Sequence, residues 1–171
     1  HETTIEVTGV GSEFVPSDPA KNTAGVVADE LDAPAKIAID KGVRPASGLG
    51  SSAASAAGAA VGLNELYDRN LSPEELVRVA AEGEAAVSGD AHADNVAPAI
   101  LGGFTVVRDD GVEQVDATVP LVACLPESVI STRDARAVVP ETVPMDDLID
   151  TVASAATLAI GHRYLGGVVA H

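Results

Sequence analysis

Three features of this sequence predict an α+β fold. Short alternating or apolar segments at residues 3–8, 36–40, 104–107 and 112–119 have the character of strands. Longer segments with apolar residues at helical spacing, or rich in small residues, lie between and after them. The order mixes strand–strand with strand–helix steps, which a regular βαβ array does not do. At 171 residues the chain can bury one core, or one domain and part of another.

Taken in order, Thr3 to Thr8 alternates and reads as a strand. Gly9, Gly11, Pro16 and Pro19 make a loop. Asn22 to Leu31 reads as a helix, with Ala24, Val27, Ala28 and Leu31 on one face. Pro34 separates it from the strand Lys36–Asp40. A Gly/Ser loop follows, and a small-residue helix runs from about Ser51 to Tyr67. Asn70 and Leu71 turn the chain. Ser72-Pro73-Glu74-Glu75 is a helix start, with Ser at the N-cap, Pro at the first helical position and Glu at the third. That helix should reach about Val87, with Leu76, Val77, Ala80 and Ala81 inward. Asn95–Leu101 reads as a short helix and Phe104–Val107 as a strand. Asp109-Asp110-Gly111 reads as a hairpin turn, returning through Val112–Val119. Leu121–Leu125 is a strand-like apolar run, and a short helix fits Thr132–Val138. Asp146 to about Ile160 closes the reading as a helix with Leu148, Ile149, Val152, Ala155 and Ala156 inward.

Charge narrows the partners. With 26 acidic residues against 10 basic the formal charge is −16, which repels nucleic acid and anionic membranes. Such acidity, in a chain rich in Ala and Val and poor in Lys and aromatics, fits a salt-rich cytoplasm where self-repulsion is screened. No run reaches the roughly 18 apolar residues of a membrane span, and no signal peptide leads the chain; a cytoplasmic protein is expected. Cys124 is the one cysteine, which excludes a disulfide framework and a cysteine zinc site, and it reads as a small buried hydrophobe. Residue 1 is His and the single methionine is Met145, so the chain reads as the middle of a longer protein.

The stretch Arg44-Pro45-Ala46-Ser47-Gly48-Leu49-Gly50-Ser51-Ser52-Ala53-Ala54 is the first candidate for chemistry. Two glycines let backbone approach a ligand, and two serines open a helix whose first N–H groups lack intrahelical partners. A loop of this kind suits an anion, phosphate above all; the same residues also permit close helix packing. It is not a Walker A loop, because Ser51 stands where that motif has Lys, and Tyr67-Asp68, about 20 residues on, ends a helix where a Rossmann motif needs an acidic residue at a strand end. A nucleophile elbow is absent. Any phosphate would be held by backbone amides and serine hydroxyls.

Glu84 and the segment Ser88-Gly89-Asp90-Ala91-His92-Ala93-Asp94-Asn95 form the second candidate. Carboxylates near a helix C-terminus oppose the dipole. A cation such as Mg²⁺, held by one or two carboxylates and substrate phosphates, would compensate; a solvated helix face is the alternative, and Glu82 suits it better. His92 and Asp94 lie two apart, able to address one small polar ligand or to pair with each other. Ser131-Thr132-Arg133-Asp134-Ala135-Arg136 is the third. Thr132 and Arg136 share a helical face, and Arg offers a fork to a carboxylate or phosphate, or simply offsets surface acidity.

Together these segments resemble the GHMP small-molecule kinases. Gly48-Leu49-Gly50-Ser51-Ser52-Ala53-Ala54 is similar to their ATP-phosphate motif. Glu84, Ser88-Gly89 and His92-Ala93-Asp94-Asn95-Val96-Ala97-Pro98 through Gly102-Gly103-Phe104 are similar to the homoserine kinases among them, as are Thr132 and Ala135-Arg136. The His-x-Asp-Asn run argues against the mevalonate type. The resemblance implies a ribosomal-protein-S5-domain-2-like domain over residues 1–119, then the start of a ferredoxin-like domain over 120–171. It implies ATP and Mg²⁺ as cofactors and L-homoserine as the small-molecule substrate, with at most a homodimer as macromolecular partner. Arg44 to Ala54 would wrap the triphosphate, with Asn22 near the adenine. Ser52 and Glu84 would hold Mg²⁺, and His92, Asp94, Asn95, Thr132 and Arg136 would bind homoserine. No catalytic base is implied. Pro45 sits one position closer to Gly48 than is usual in the family. The family's N-terminal Ala-Asn-Leu-Gly-x-Gly-Phe-Asp motif and C-terminal Gly-rich motif are not in this sequence, so a fragment with little turnover is expected.

Overall fold

The computed structural model describes residues 2–89, 91, 93–116, 122–124 and 137–168. It divides into two compact units, His1–Val115 and Asp116–His171.

In the first unit, β1 (Thr4–Gly9) and β2 (Lys36–Lys41) pair in parallel, from Thr4 opposite Lys36 to Gly9 opposite Lys41. Between them run two single 3₁₀ turns, Ser12–Phe14 and Pro19–Lys21, and α1 (Thr23–Glu30). The helices α2 (Ser51–Leu66), α3 (Pro73–Ser88) and α4 (Ala93–Leu101) follow. The hairpin of β3 (Phe104–Arg108) and β4 (Gly111–Val115) completes the unit, turning at Asp109 and Asp110 as its sequence predicts. Arg108 holds that turn from one side, reaching Asp110 at 3.1 Å and Glu113 at 3.4 Å.

The core lies among the four helices. Val27, Leu31, Leu63, Leu76, Val77 and Val96 supply its bulk, and apart from Leu63 the core residues of α2 are alanines. Small side chains let helix backbones approach closely, so packing is sensitive to a single methyl group. Gly83 of α3 illustrates this: a Cβ there would lie 2.6 Å from Val27 Cγ2 and 3.2 Å from the Thr23 carbonyl oxygen. Val27 is fully buried and has no space to retreat. Gly83→Ala is therefore expected to destabilise the protein by about 1–3 kcal/mol, despite alanine's better helix propensity. Chemical denaturation checks it, and an unchanged midpoint would show that α1 and α3 are not packed this closely.

The helix starts follow local rules. Ser72 caps α3, its Oγ accepting from the Glu75 N–H while the Glu75 carboxylate accepts from the Ser72 N–H. That bond to the Ser72 backbone holds the Glu75 pKa below the ordinary glutamate value. Asn22 caps α1, accepting from the Ala24 N–H at 3.0 Å. At its other end α2 is tied down by Tyr67, whose hydroxyl donates to the Pro34 carbonyl, and by Arg69, which donates to the Asp32 carbonyl at 2.6 Å.

The second unit departs from expectation. Residues 122–124 carry no strand, and Cys124 is exposed where a buried strand residue was expected. A strand needs a neighbour to pair with, and none of the described residues pairs with this run. The strand expected to reach Val119 ends at Val115, and 117–119 lie outside the described residues. The final helix, α5 (Met145–Val168), outruns its expected end. Its apolar face is open rather than inward: Leu148, Ile149 and Val152 are 46%, 56% and 60% exposed. The helical spacing is as read, but no described element covers that face. No described helix is long and apolar enough to cross a membrane.

Candidate functional site

The Gly/Ser loop leaves the end of β2 and delivers the chain to α2, as its sequence predicts. Its backbone takes an unusual path: Gly48 and Gly50 sit at φ 76° and 70°, and Ala46 at φ 56°. Nothing lies within 4 Å of where a Gly48 side chain would start, so that glycine serves backbone shape and open access. Gly50 is the N-cap of α2 and, unlike Asn22 and Ser72, offers no side chain to the first-turn N–H groups. The positive end of α2 is thereby left to another acceptor.

The serines differ. Ser51 is buried and its Oγ donates to the Val43 carbonyl at 2.7 Å, tying the loop to its helix. Ser52 is exposed beside it. The Ser47 hydroxyl accepts from the Leu49 N–H at 3.3 Å, within the loop. Arg44, Ala46, Leu49 and Ala54 are exposed, Pro45 is half-buried, and Ala53 is packed in the core.

Lys41, at the end of β2, was not among the residues singled out in the sequence. Its side chain is buried, and its Nζ donates to the Ser51 carbonyl at 2.6 Å and the Ser55 hydroxyl at 2.8 Å. Burial pushes its pKa below the ordinary lysine value. The loop that lacks a Walker lysine thus has a lysine under the first turn of its helix, supplied from upstream. The one sequence signal was a cation closing a strand immediately before the loop.

Glu84 is not on a solvated face. It is 1% exposed and ranks with Val27 and Val96 as the largest fully buried side chains. Glu82 is the solvated one, paired with Arg78 at 2.9 Å. A buried carboxylate is retained against a desolvation penalty, which favours a role over mere position. Glu84 follows Gly83, which packs on Thr23, and the Thr23 hydroxyl donates to the Ser52 carbonyl at 3.4 Å. One turn on, Val87 lines the same cleft as Ser52. The C-terminal half of α3 therefore adjoins the start of α2.

The start of α4 adjoins it too. A Cβ on Gly50 would lie 3.7 Å from Asn95 Oδ1. Asp94 and Asn95 are exposed in the first turn of α4. Loop, Glu84 helix and Asp94-Asn95 turn are thus gathered at one end of the helical layer. His92, Thr132 and Arg136 lie outside the described residues. Asn22 is placed beside the loop but serves structure: its Nδ2 donates to the Pro16 carbonyl at 2.7 Å while its Oδ1 caps α1. Among the described residues no group of three or more His, Cys, Asp or Glu forms a metal cage. The oxygen donors of Ser52 and Glu84 suit a hard cation that also takes oxygens from a bound phosphate.

Residues 19–103 match the family described as "GHMP kinases N terminal domain". A curated homoserine kinase of Natronomonas pharaonis is 74% identical over 94% of this chain and 55% of that protein. Residues 19–103 are a GHMP kinase N-terminal domain. Another homoserine kinase, of Haloarcula marismortui, is 71% identical over the same shares of the two chains. The crystal structure of a homoserine kinase from Cytophaga hutchinsonii superposes with a TM-score of 0.78 at 30% identity, covering 94% of this chain and 54% of that one. The chain spans about half the length of the curated relatives it matches.

Relatives in halophilic archaea accord with the net charge of −16. Raising KCl from about 0.1 M to about 2 M is expected to raise the melting temperature, because the Debye length contracts to a few ångströms and self-repulsion fades. A melting temperature independent of KCl would count against this.

Proposed function

We propose that this chain is the ATP-binding part of a cytoplasmic kinase that phosphorylates the side-chain hydroxyl of L-homoserine, a step in threonine biosynthesis. The observation that carries it is the gathering of an uncapped α2 N-terminus, a buried Glu84 and the Asp94-Asn95 turn. This occurs in a chain whose similar relatives include homoserine kinases. The finer fold reading is an S5-domain-2-like domain over 1–119 and the beginning of a ferredoxin-like domain over 120–171.

In this reading Arg44 to Ala54 encloses the triphosphate, with backbone N–H groups of the first α2 turn and the Ser52 hydroxyl donating to its oxygens. Lys41 sets the position of the first turn and adds positive charge beneath it. Ser52 and Glu84 hold Mg²⁺, whose contribution is to neutralise charge on the phosphate oxygens. His92, Asp94, Asn95, Thr132 and Arg136 orient homoserine, the arginine taking its carboxylate. The homoserine oxygen bonds to the γ-phosphorus as the bond to the ADP oxygen breaks, and the hydroxyl proton passes to a phosphate oxygen. Phosphoryl transfer asks for positioning and electrostatics more than for a base.

ADP release in molar-range KCl, with L-homoserine, L-threonine and mevalonate offered in turn, tests the assignment. Slow release, with L-homoserine alone of the three, is expected. Release only with mevalonate would overturn the acceptor, and ATP binding without turnover on any acceptor would mark a nucleotide-binding part whose catalysis needs further chain.

A further inference from the structure

Beside the loop lies a cleft of about 180 Å³ bordered by the Ser12–Phe14 turn, the start of α1, Pro45 and the first turn of α2. One of its walls is an aromatic ring that no role above uses. Phe14 is 72% exposed, in a sequence with two Phe, two Tyr and no Trp. Its segment is held in place. The Phe14 N–H donates to the Gly11 carbonyl and the Val15 N–H to the Ser12 carbonyl, both at 3.1 Å, while the Val10 N–H donates to the Lys41 carbonyl at 2.8 Å. Gly11, at φ 71°, comes so near the loop that a Cβ there would lie 2.8 Å from Pro45 Cδ. The ring is therefore anchored against the start of the phosphate loop while its surface faces water. Exposed aromatic surface is unfavourable, and a flat apolar ligand relieves it.

Apart from Ser52, assigned above to the phosphates, and the exposed Lys21, the polar side chains across the cleft are already engaged. Asn22 spends one end of its amide on the Pro16 carbonyl and the other on the Ala24 N–H. The hydroxyl protons of Thr23 and Ser51 go to the Ser52 and Val43 carbonyls. A ligand entering here meets a ring face and committed donors, a surface suited to stacking and poorly suited to reading a base edge.

We infer that Phe14 is the stacking platform for a purine nucleobase whose phosphates reach the start of α2, and that the cleft selects purine over pyrimidine by ring area. The inference rests on the kinase reading. Because stacking is indifferent to the hydrogen-bonding edge, ATP and GTP bind comparably.

Competition against a fluorescent nucleotide tests this on the full chain, with ATP, GTP, CTP and inorganic tripolyphosphate as competitors. ATP and GTP are expected within about fivefold of each other and CTP about tenfold weaker, the scale of one base–aromatic contact. Phe14→Ala should weaken ATP about tenfold and leave tripolyphosphate unchanged, with Phe14→Leu in between. Unchanged ATP affinity in Phe14→Ala would overturn the inference and leave the kinase reading standing. So would ATP preferred over GTP by more than about a hundredfold, beyond what stacking differences supply. Equal loss of ATP and tripolyphosphate would make Phe14 a prop for the loop and overturn it too. If neither ATP nor tripolyphosphate binds the unaltered chain, both readings fall.

Discussion

Glu84→Gln is expected to lower phosphoryl transfer by about a hundredfold, the usual loss when one preorganised electrostatic group is removed, and to leave the protein folded. The substitution keeps shape at a position only 1% exposed, so packing against the neighbouring helices survives. What changes is the hard anionic oxygen. Mg²⁺ should then be needed at higher concentration, while ATP binding measured in excess chelator stays as before. The response to Mg²⁺ separates the two roles open to a buried carboxylate. A structural Glu84 would lower the melting temperature on substitution and leave the Mg²⁺ profile alone, and that result would take Glu84 out of the site.

Lys41→Met should weaken ATP binding by about tenfold or more, comparable to losing one charge-assisted hydrogen bond. The side chain it replaces holds the Ser51 carbonyl and the Ser55 hydroxyl from below, and it brings a cation to the first turn of α2 in a strongly acidic chain. Alkaline pH offers an independent check. Desolvation lowers the Lys41 pKa in the folded protein. Between that value and the ordinary one of about 10.4, the unfolded chain keeps a proton that the folded chain has released. Stability contributed by this group therefore rises with pH across the window, as the penalty for burying a charge is relieved. Nucleotide affinity moves the other way, because the cation is lost. Lys41→Met should abolish both slopes, as read by thermal melting and by titration with ATP. Parallel slopes in the protein and the variant would remove Lys41 from the anion site.

Much of the fold was legible because its signals are local. Ser72, Pro73 and Glu75 announce α3 within four residues, and Asp109-Asp110-Gly111 places a hairpin turn between alternating strands. Asn22 marks a helix start by the same logic, although its side chain proves to serve the cap itself. The loop and Glu84 were legible as residue types in a recognisable order. Their meeting was not. Asn95 reaches Gly50, and Gly83 reaches Thr23, across separations that no periodicity reports. Lys41 was hidden for a related reason. Alternation places a lysine at a strand end in solvent by default, and only the packing of α2 across β2 buries it. The apolar stripe on α5 is legible as a stripe, but spacing tells which residues share a face and nothing about what lies opposite. Cys124 is exposed for the same reason, since a buried strand needs a partner as well as an apolar sequence.

Ala46 stands in the left-handed region at φ 56°, where a Cβ is unwelcome and the strain amounts to roughly 1 kcal/mol. No glycine is there to make that turn easy. The backbone adopts it because both ends of the loop are moored: Lys41 and Val43 at its start each bond to Ser51 at its end, where Gly50 also lies beside Asn95. Shape is thus imposed from the rim, and the interior residues follow. A library randomised at residues 44, 46 and 47 should consequently return many functional sequences, whereas one randomised at the moorings should return few. Mutational tolerance in this loop would rise with distance from the rigid frame.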